Sequence, residues 1–217
     1  MISRRILIAA LLGAPVAACN TVQQAQTAVT AEDDLSGWYT GEVIPDSPHP
    51  IPKVDRTRLR PEFNRQVVAY DGGEAPGSIV VDIDRRFLYL VQPEGKALRY
   101  GVGVGRQGFS WRGVATVGRK SVWPAWSPTT TMVSLNRTLP RFMEGGIGNP
   151  LGARALYLYQ GGRDILFRIH GTNEPWSIGE AVSSGCVRML NEDVRDLHDR
   201  VPVGTTVYVK RGGRLRT

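Results

Sequence analysis

Residues 78–91, which read SIVVDIDRRFLYLV, carry the clearest structural pattern in the sequence. Apolar side chains at Ile79, Val81 and Ile83 recur at every second position, which is the period of a β-strand. The polar residues 84–86 can form a turn, and the apolar run 87–91 returns as a second strand. This stretch predicts a β-hairpin at the start of a fold built mainly from sheet.

The rest of the chain extends this pattern. Further strands are predicted at residues 98–104, 114–122, 155–160, 165–170 and 206–210. One helix is predicted with Asn191 as its N-cap and an apolar stripe at Val194, Leu197 and Val201. The 25 Gly and 14 Pro among 217 residues are typical of a chain with many turns. The expected fold class is mostly β with a short helix near the C-terminus.

The N-terminus has the features of an export signal. Arg4 and Arg5 precede an apolar stretch, residues 6–18, that is shorter than the roughly 20 residues of a bilayer span, so residues 1–18 are predicted to be a signal peptide. The small residues before Cys19 resemble the lipobox of bacterial lipoproteins, which implies lipidation of Cys19. Ordinary cleavage near the alanines is the alternative. The arginine pair also partly resembles a twin-arginine signal, and the export route stays open.

The composition changes along the chain suggest four parts. After the signal peptide, residues 19–35 are polar and are predicted to be a lipidated N-terminus and tether. Residues 36–75 contain five prolines and are predicted to be an irregular extension packed on the domain. Residues 76–212 form the predicted main domain. The length excludes two full-sized domains, and the 41% hydrophobic content excludes wholesale disorder.

Charge and ligand-forming residues narrow the function further. The net charge of +7 is scattered over the chain, which favours a solvated basic surface, and we expect no nucleic-acid partner. The three histidines and two cysteines are too dispersed for a zinc site, so we expect no metal and no cofactor.

One pair of residues carries the chemistry. His170 lies at the end of a predicted strand, and Cys186 follows it by 16 positions in the small-residue stretch SSGCVRM. A cysteine nucleophile needs a nearby base, backbone N–H donors for the developing oxyanion, and close approach of the backbone to the substrate. His170 and the backbone of Ser184, Gly185 and Cys186 can supply these. Taken alone, each residue is more often a buried or surface residue without a catalytic role.

Together these residues resemble the motif of the YkuD-type L,D-transpeptidases, in which a histidine precedes a Ser-His-Gly-Cys sequence and a following arginine. Four further segments resemble the same family, and the resemblance spans about residues 76–210. They are residues 76–82, 126–128, 148–153 and 203–207. The resemblance implies a β-sandwich that cleaves the bond between the L-centre of diaminopimelate and D-Ala in a peptidoglycan stem tetrapeptide.

The resemblance also implies roles for single residues. Cys186 is the expected nucleophile, and His170 is the expected base, oriented by the Gly171 carbonyl. The backbone of Ser184 and Gly185 is expected to hold the oxyanion. The expected substrate-binding residues are Arg188, Asn173, Ser183, Trp126 and Trp176, although Arg188 can instead brace the turn and the tryptophans can be core. Ser184 stands where many members have histidine, so that imidazole is absent here.

Two other classes of cysteine enzyme fit the sequence less well. Cysteine amidases of the wall-peptidase type place Cys before His, and sortases place their arginine farther on in the sequence. A non-catalytic peptidoglycan-binding lipoprotein and an L,D-carboxypeptidase remain alternatives. The acyl acceptor stays open between a second stem peptide, an envelope protein, a free D-amino acid and water. We expect a cell-envelope lipoprotein that faces the periplasm, on either the inner or the outer membrane.

Overall fold

The structure, a computed structural model, describes residues 37–105, 111–183 and 185–211. The predicted signal peptide, Cys19, the tether and Ser184 lie outside these ranges. In the described part the strands are β1 (Tyr39–Ile44), β2 (Ile51–Val54), β3 (Gln66–Ala69), β4 (Ile79–Asp82), β5 (Phe87–Gln92), β6 (Lys96–Gly101), β7 (Val104–Gly105), β8 (Gly113–Val122), β9 (Arg154–Gln160), β10 (Arg163–His170), β11 (Ala181–Ser183), β12 (Val187–Arg188) and β13 (Thr206–Lys210). The helices are α1 (Thr130–Leu135) and α2 (Asn191–Arg200).

Nine strands form one sheet in the order β12-β10-β9-β8-β13-β4-β5-β6-β3. Most neighbours are antiparallel, but β12 runs parallel to β10 and β13 runs parallel to β4. Gly103, just after β6, exchanges backbone hydrogen bonds of 2.9 and 2.8 Å with Arg188 of β12. Because β6 and β12 lie near opposite ends of the strand order, the sheet must curl until its ends meet. The predicted mostly-β fold is confirmed.

The core lies inside this curled sheet. Residues from the central strands, such as Val81, Leu88 and Leu158, are fully buried there. Helix α2 adds its apolar stripe, Val194, Leu197 and Val201, to the same cluster, as the sequence predicted. The predicted N-cap was wrong: Leu190 occupies the cap position without a side-chain cap bond, and Asn191 is the first helical residue. The Asn191 side chain instead forms hydrogen bonds with the backbone of two neighbouring loops.

The Pro-rich extension is more regular than expected. Its β1 and β2 form a separate two-stranded sheet, and β3 lies on the edge of the large sheet beside β6. Regular strands are possible because most of its prolines fall in the connections between them, where a missing N–H breaks no ladder. Proline 61 begins a short 3₁₀ turn, Pro61–Phe63, near the helical turn that we expected. The expectation of an irregular segment was therefore wrong for these three strands.

Two further features belong to the fold. Helix α1 lies in the stretch between residues 105 and 150, where no helix was predicted. Its N-cap residue, Thr129, accepts a hydrogen bond from the Met132 N–H. Among the described residues, no helix is both long and apolar enough to cross a bilayer.

Candidate active site

Two neighbouring strands bring Cys186 and His170 together. Strand β10 pairs in parallel with β12, with Ile169 opposite Val187 and His170 opposite Arg188. Ile169 and Val187 are buried in the core, and successive side chains of a strand point to opposite faces. His170 and Cys186 therefore lie on the other face of the sheet. Cys186 directly precedes β12, and the register offsets it from His170 by two residues along the strands. The 16-residue separation in sequence becomes a short one in space.

The Cys186 thiol is held in a partly enclosed position. Its Sγ lies 4.0 Å from the carbonyl oxygen of Leu166 and receives a hydrogen bond from the backbone N–H of Arg168. Burial raises the pKa of the thiol, and this hydrogen bond together with the positive charges of Arg168 and Arg188 offsets part of the rise. At neutral pH the resting group is therefore a protonated thiol, and it needs a base to become the nucleophile.

A bulge in β10 gives these backbone groups their direction. Leu166 has φ +58°, which is rare for a residue other than glycine, and the pairing of β10 with β9 shifts between Asp164 and Arg168. The Leu166 N–H donates to the Asp164 carboxylate at 2.7 Å, which holds the bulge. The bulge thus lies next to the Cys186 thiol and directs the Leu166 carbonyl and the Arg168 N–H toward it.

His170 is placed as a neutral base. It is 5% exposed, and its Nδ1 lies 2.6 Å from the Gly171 carbonyl oxygen. A carbonyl can only accept, so Nδ1 carries the proton and Nε2 has the free lone pair. Burial lowers the pKa of His170 to about 4, and the nearby charge of Arg188 acts in the same direction. The ring is therefore uncharged at neutral pH and able to take a proton from a thiol.

Asn191 holds the loop that follows His170. Its Oδ1 accepts hydrogen bonds from the N–H of Ala153 at 2.9 Å and of Thr172 at 3.2 Å, and its Nδ2 donates to the Thr172 carbonyl at 2.9 Å. A Cβ added at Gly171 or Gly152 would approach Oδ1 to 2.2 or 2.1 Å. These two glycines therefore leave the space that the asparagine fills. The sequence had indicated Asn191 only as a helix cap.

The predicted substrate-binding residues have different surroundings. Arg188 forms an ion pair with Glu174, and this contact favours its role as a brace for the turn. Asn173 donates its Nδ2 to the Gly148 carbonyl at 3.1 Å, so it ties the loop after His170 to the turn at residues 146–152. Ser183 pairs through its backbone with Gly105, where β11 lies beside β7.

The two tryptophans differ in exposure. Trp126 is 9% exposed and its backbone exchanges two hydrogen bonds of 2.8 Å with Met143, so most of its ring is packed within the loops. Trp176 lies in the 3₁₀ turn Pro175–Ser177 and is half-buried. Gly185 has φ +136°, a conformation that favours glycine immediately before the nucleophile. The oxyanion role of Ser184 and Gly185 and the binding roles of the other residues stay predictions.

The extension contacts the strand next to the site through a buried ion pair. Asp46 accepts hydrogen bonds from both terminal nitrogens of Arg154, at 2.7 and 2.6 Å, and a third from Trp123 Nε1 at 2.9 Å. The side chains of Asp46 and Arg154 are each 7% exposed. The Arg154 carbonyl in turn accepts the N–H of Gly171 at 3.0 Å. Sequence reasoning missed this ion pair because nothing in the local pattern links residues 108 positions apart.

In the part of the chain that the structure describes, no group of three or more His, Cys, Asp or Glu side chains is placed to hold a metal ion.

Comparisons with known proteins identify a family for this chain. The family model of the L,D-transpeptidase catalytic domain (YkuD) matches residues 76–209, more than half of the chain. A probable L,D-transpeptidase of Escherichia coli K12, ErfK/SrfK, is 38% identical over 140 residues, which are 60% of this chain and 43% of that protein. Another from the same strain, YbiS, is 37% identical over 139 residues, with the same coverage. The chain thus spans less than half the length of both relatives.

A solved structure is also similar. A crystal structure from Brucella melitensis, named as a probable carnitine operon oxidoreductase, is 48% identical and covers 70% of this chain and 96% of that chain, with a TM-score of 0.48. The family assignment depends on the family model that matches residues 76–209.

Proposed function

We propose, because the chain belongs to the L,D-transpeptidase catalytic domain family, that it is a cysteine L,D-transpeptidase acting on peptidoglycan stem peptides. The observation that carries the proposal is the shared face of Cys186 and the neutral His170 on two adjacent strands. Both groups are in the state that general-base catalysis requires: the thiol carries its proton, and the neutral imidazole has a free lone pair.

The first half-reaction forms a thioester. The Cys186 sulfur attacks the carbonyl of the L-centre of diaminopimelate in the stem tetrapeptide, and its proton passes to Nε2 of His170. The C–N bond to D-Ala then breaks, and the imidazolium returns the proton to the departing amine. The product is free D-Ala and an acyl group joined to Sγ.

The second half-reaction restores the enzyme. The amine of an acceptor attacks the thioester carbonyl, His170 takes the proton from that amine, and the new amide forms as the C–S bond breaks. The thiolate regains the proton from the imidazolium. The acceptor is a second stem peptide, giving a 3-3 cross-link, or an amine of an envelope protein.

The lowered pKa of His170 suits both of its proposed proton transfers. Because the pKa of His170 is lowered to about 4, an imidazolium formed by proton transfer is a strong acid and gives its proton up readily to the leaving amine. The Gly171 carbonyl keeps the ring oriented during this exchange, because it accepts from Nδ1 in both protonation states.

We also propose a location. Residues 1–18 as a signal peptide and Cys19 as a lipidated residue would tether the domain to a membrane of the cell envelope, facing the periplasm. A periplasmic position would give the domain access to peptidoglycan, its proposed substrate.

Mass spectrometry tests the proposal. Tetrapeptide muropeptides are incubated with the full chain and with its Cys186→Ala variant. Dimers that have lost D-Ala, formed only with the wild-type cysteine, support cross-linking. Tripeptides alone indicate a carboxypeptidase or a missing protein acceptor, and an unchanged tetrapeptide with a folded protein favours a non-catalytic wall-binding lipoprotein.

A further inference from the structure

A row of side chains leads away from Cys186 across the outer face of the sheet. Arg168 lies on β10 opposite Tyr157 of β9, and Tyr157 lies opposite Arg119 of β8. Arg168 shares its face with His170, two residues later on the same strand. A continuous row over three strands is therefore formed by Arg119, Tyr157 and Arg168. Strand β12 lies next to β10 on the side away from β9, and Cys186 directly precedes β12.

The two arginines converge on the tyrosine ring. The guanidinium carbon of Arg119 lies 3.4 Å from the ring centroid of Tyr157, and that of Arg168 lies 4.9 Å from it. Tyr157 is 6% exposed, so its ring is a fixed surface between two charges that approach it from neighbouring strands. Stacking limits the freedom of both guanidinium groups and leaves their N–H edges available for planar anions.

The row has an excess of positive charge. Asp164 forms an ion pair with Arg168 at 3.3 Å, but Arg119 has no carboxylate partner among the described residues. The charge of Arg168 offsets part of the rise that burial causes in the pKa of Cys186, and it adds to the lowering of the pKa of His170, so it acts within reach of the reacting groups. Arg188, the arginine first expected to receive a substrate carboxylate, is engaged by Glu174.

We propose that Arg119 and Arg168, stacked on Tyr157, form a carboxylate-binding subsite for the donor peptide. This inference rests on the proposed function, and it names the group that the site would recognise. A stem tetrapeptide ending in D-Ala offers two carboxylates near the scissile bond: the one at the D-centre of diaminopimelate and the C-terminal one of D-Ala. Both present the planar oxygen pair that a guanidinium binds through two parallel hydrogen bonds.

Binding without turnover tests the subsite. In the full chain carrying Cys186→Ala, the dissociation constant is measured by calorimetry for three tetrapeptides: the unmodified one, one amidated at the D-centre, and one ending in D-alaninamide. Adding Arg168→Gln or Arg119→Gln should weaken binding of the unmodified peptide about tenfold, because each change removes a charged hydrogen-bond donor. One of the two amidated peptides lacks the carboxylate that the subsite binds. For that peptide, the same changes should leave the affinity unaltered.

Arg163→Gln is the matched control. It removes the same charge from the same strand, at the exposed end beside the turn to β9, and should not change any of the three affinities. The subsite is overturned if Arg168→Gln and Arg119→Gln leave the affinity for the unmodified peptide unchanged, or weaken all three peptides equally. Release of D-Ala by the wild-type chain is measured separately. A protein that binds with this pattern but releases none keeps the subsite and loses the proposed activity.

Discussion

The side chain of Asn191 binds the backbone of Thr172 at both of its polar groups. The Thr172 N–H donates to Oδ1 at 3.2 Å, and Nδ2 donates to the Thr172 carbonyl at 2.9 Å. Thr172 comes two residues after His170, and the intervening Gly171 carbonyl orients the imidazole through Nδ1. Asn191, the first residue of helix α2, thus holds the backbone segment whose Gly171 carbonyl orients the proposed base, His170.

Replacing this asparagine should harm activity beyond its effect on stability. Asn191→Ala leaves three buried backbone groups of Ala153 and Thr172 without partners, and each lost partner costs about 1–3 kcal/mol. Because the Gly171 carbonyl is then free to turn, we expect kcat for D-Ala release to fall about tenfold or more with a smaller change in KM. Urea unfolding and steady-state kinetics measure the two effects.

Val209→Ala provides the stability control for that experiment. Val209 is buried in the core on β13, and its truncation costs stability without touching the loop after His170. If the two variants lose kcat in proportion to their loss of stability, Asn191 has no positioning role.

The fold and the candidate catalytic pair follow from the sequence for different reasons. The hairpin at residues 78–91 and the stripe of α2 follow from local periodicity, and the observed strands β4 and β5 and the core contacts of Val194 and Leu197 confirm them. Cys186 and His170 could be proposed as a pair because their motif is local in sequence, and their catalytic roles stay predictions.

What sequence reasoning missed depends on contacts across the fold. Asp46 meets Arg154 only after the extension folds onto β9, and the Asn191 side chain reaches loops that lie 19 and 38 residues earlier. The proline density of the extension predicts irregular structure, but most of its prolines lie in the connections, so the strands between them have no sequence signal. Such pairings have no local signal, since the partner that decides them is distant in the chain.

The protein should lose stability in mild acid through His170. Burial lowers the pKa of His170 from 6.5 to about 4, so below the higher value the unfolded chain takes up a proton that the folded one does not. Stability is therefore full above that range and falls as the pH decreases toward the lower value. The contribution of this residue between pH 7 and pH 5 is about 2 kcal/mol.

His170→Gln removes this contribution, because glutamine does not titrate. The free energy of unfolding in urea, measured at both pH values, should fall less in the variant than in the wild type. Equal losses in the two proteins would contradict a buried neutral histidine.

Cys186 should be the single site of acylation. Carbapenem β-lactams acylate the nucleophile in the family that this chain resembles, and we expect one adduct per chain, detected as an increase in intact mass. Cys186→Ala should show no adduct and no release of D-Ala, while its circular dichroism spectrum and melting temperature stay close to those of the wild type. An unchanged mass of the folded wild type after long incubation would count against a reactive thiol.

The ion pair between Asp46 and Arg154 should be worth more than any exposed pair of the extension. Burial alone would raise the pKa of Asp46, but the hydrogen bonds and charge of Arg154 outweigh burial and lower it, so the carboxylate is charged in the folded state. Asp46→Asn leaves the buried guanidinium of Arg154 without its counter-charge, which costs about 3–5 kcal/mol. Since the Arg154 carbonyl accepts the N–H of Gly171, the loss should also slow D-Ala release.

Glu42→Gln is the matched variant, because Glu42 and Lys53 form an ion pair on the β1–β2 sheet of the same extension, with side chains that are 67% and 47% exposed. Its loss should cost less than about 1 kcal/mol, since water and salt screen exposed pairs. The free energies of unfolding of the two variants in urea show whether the extension stabilises the domain through the buried ion pair. If Asp46→Asn costs no more than Glu42→Gln and leaves D-Ala release unchanged, the extension does not position the loop that follows His170.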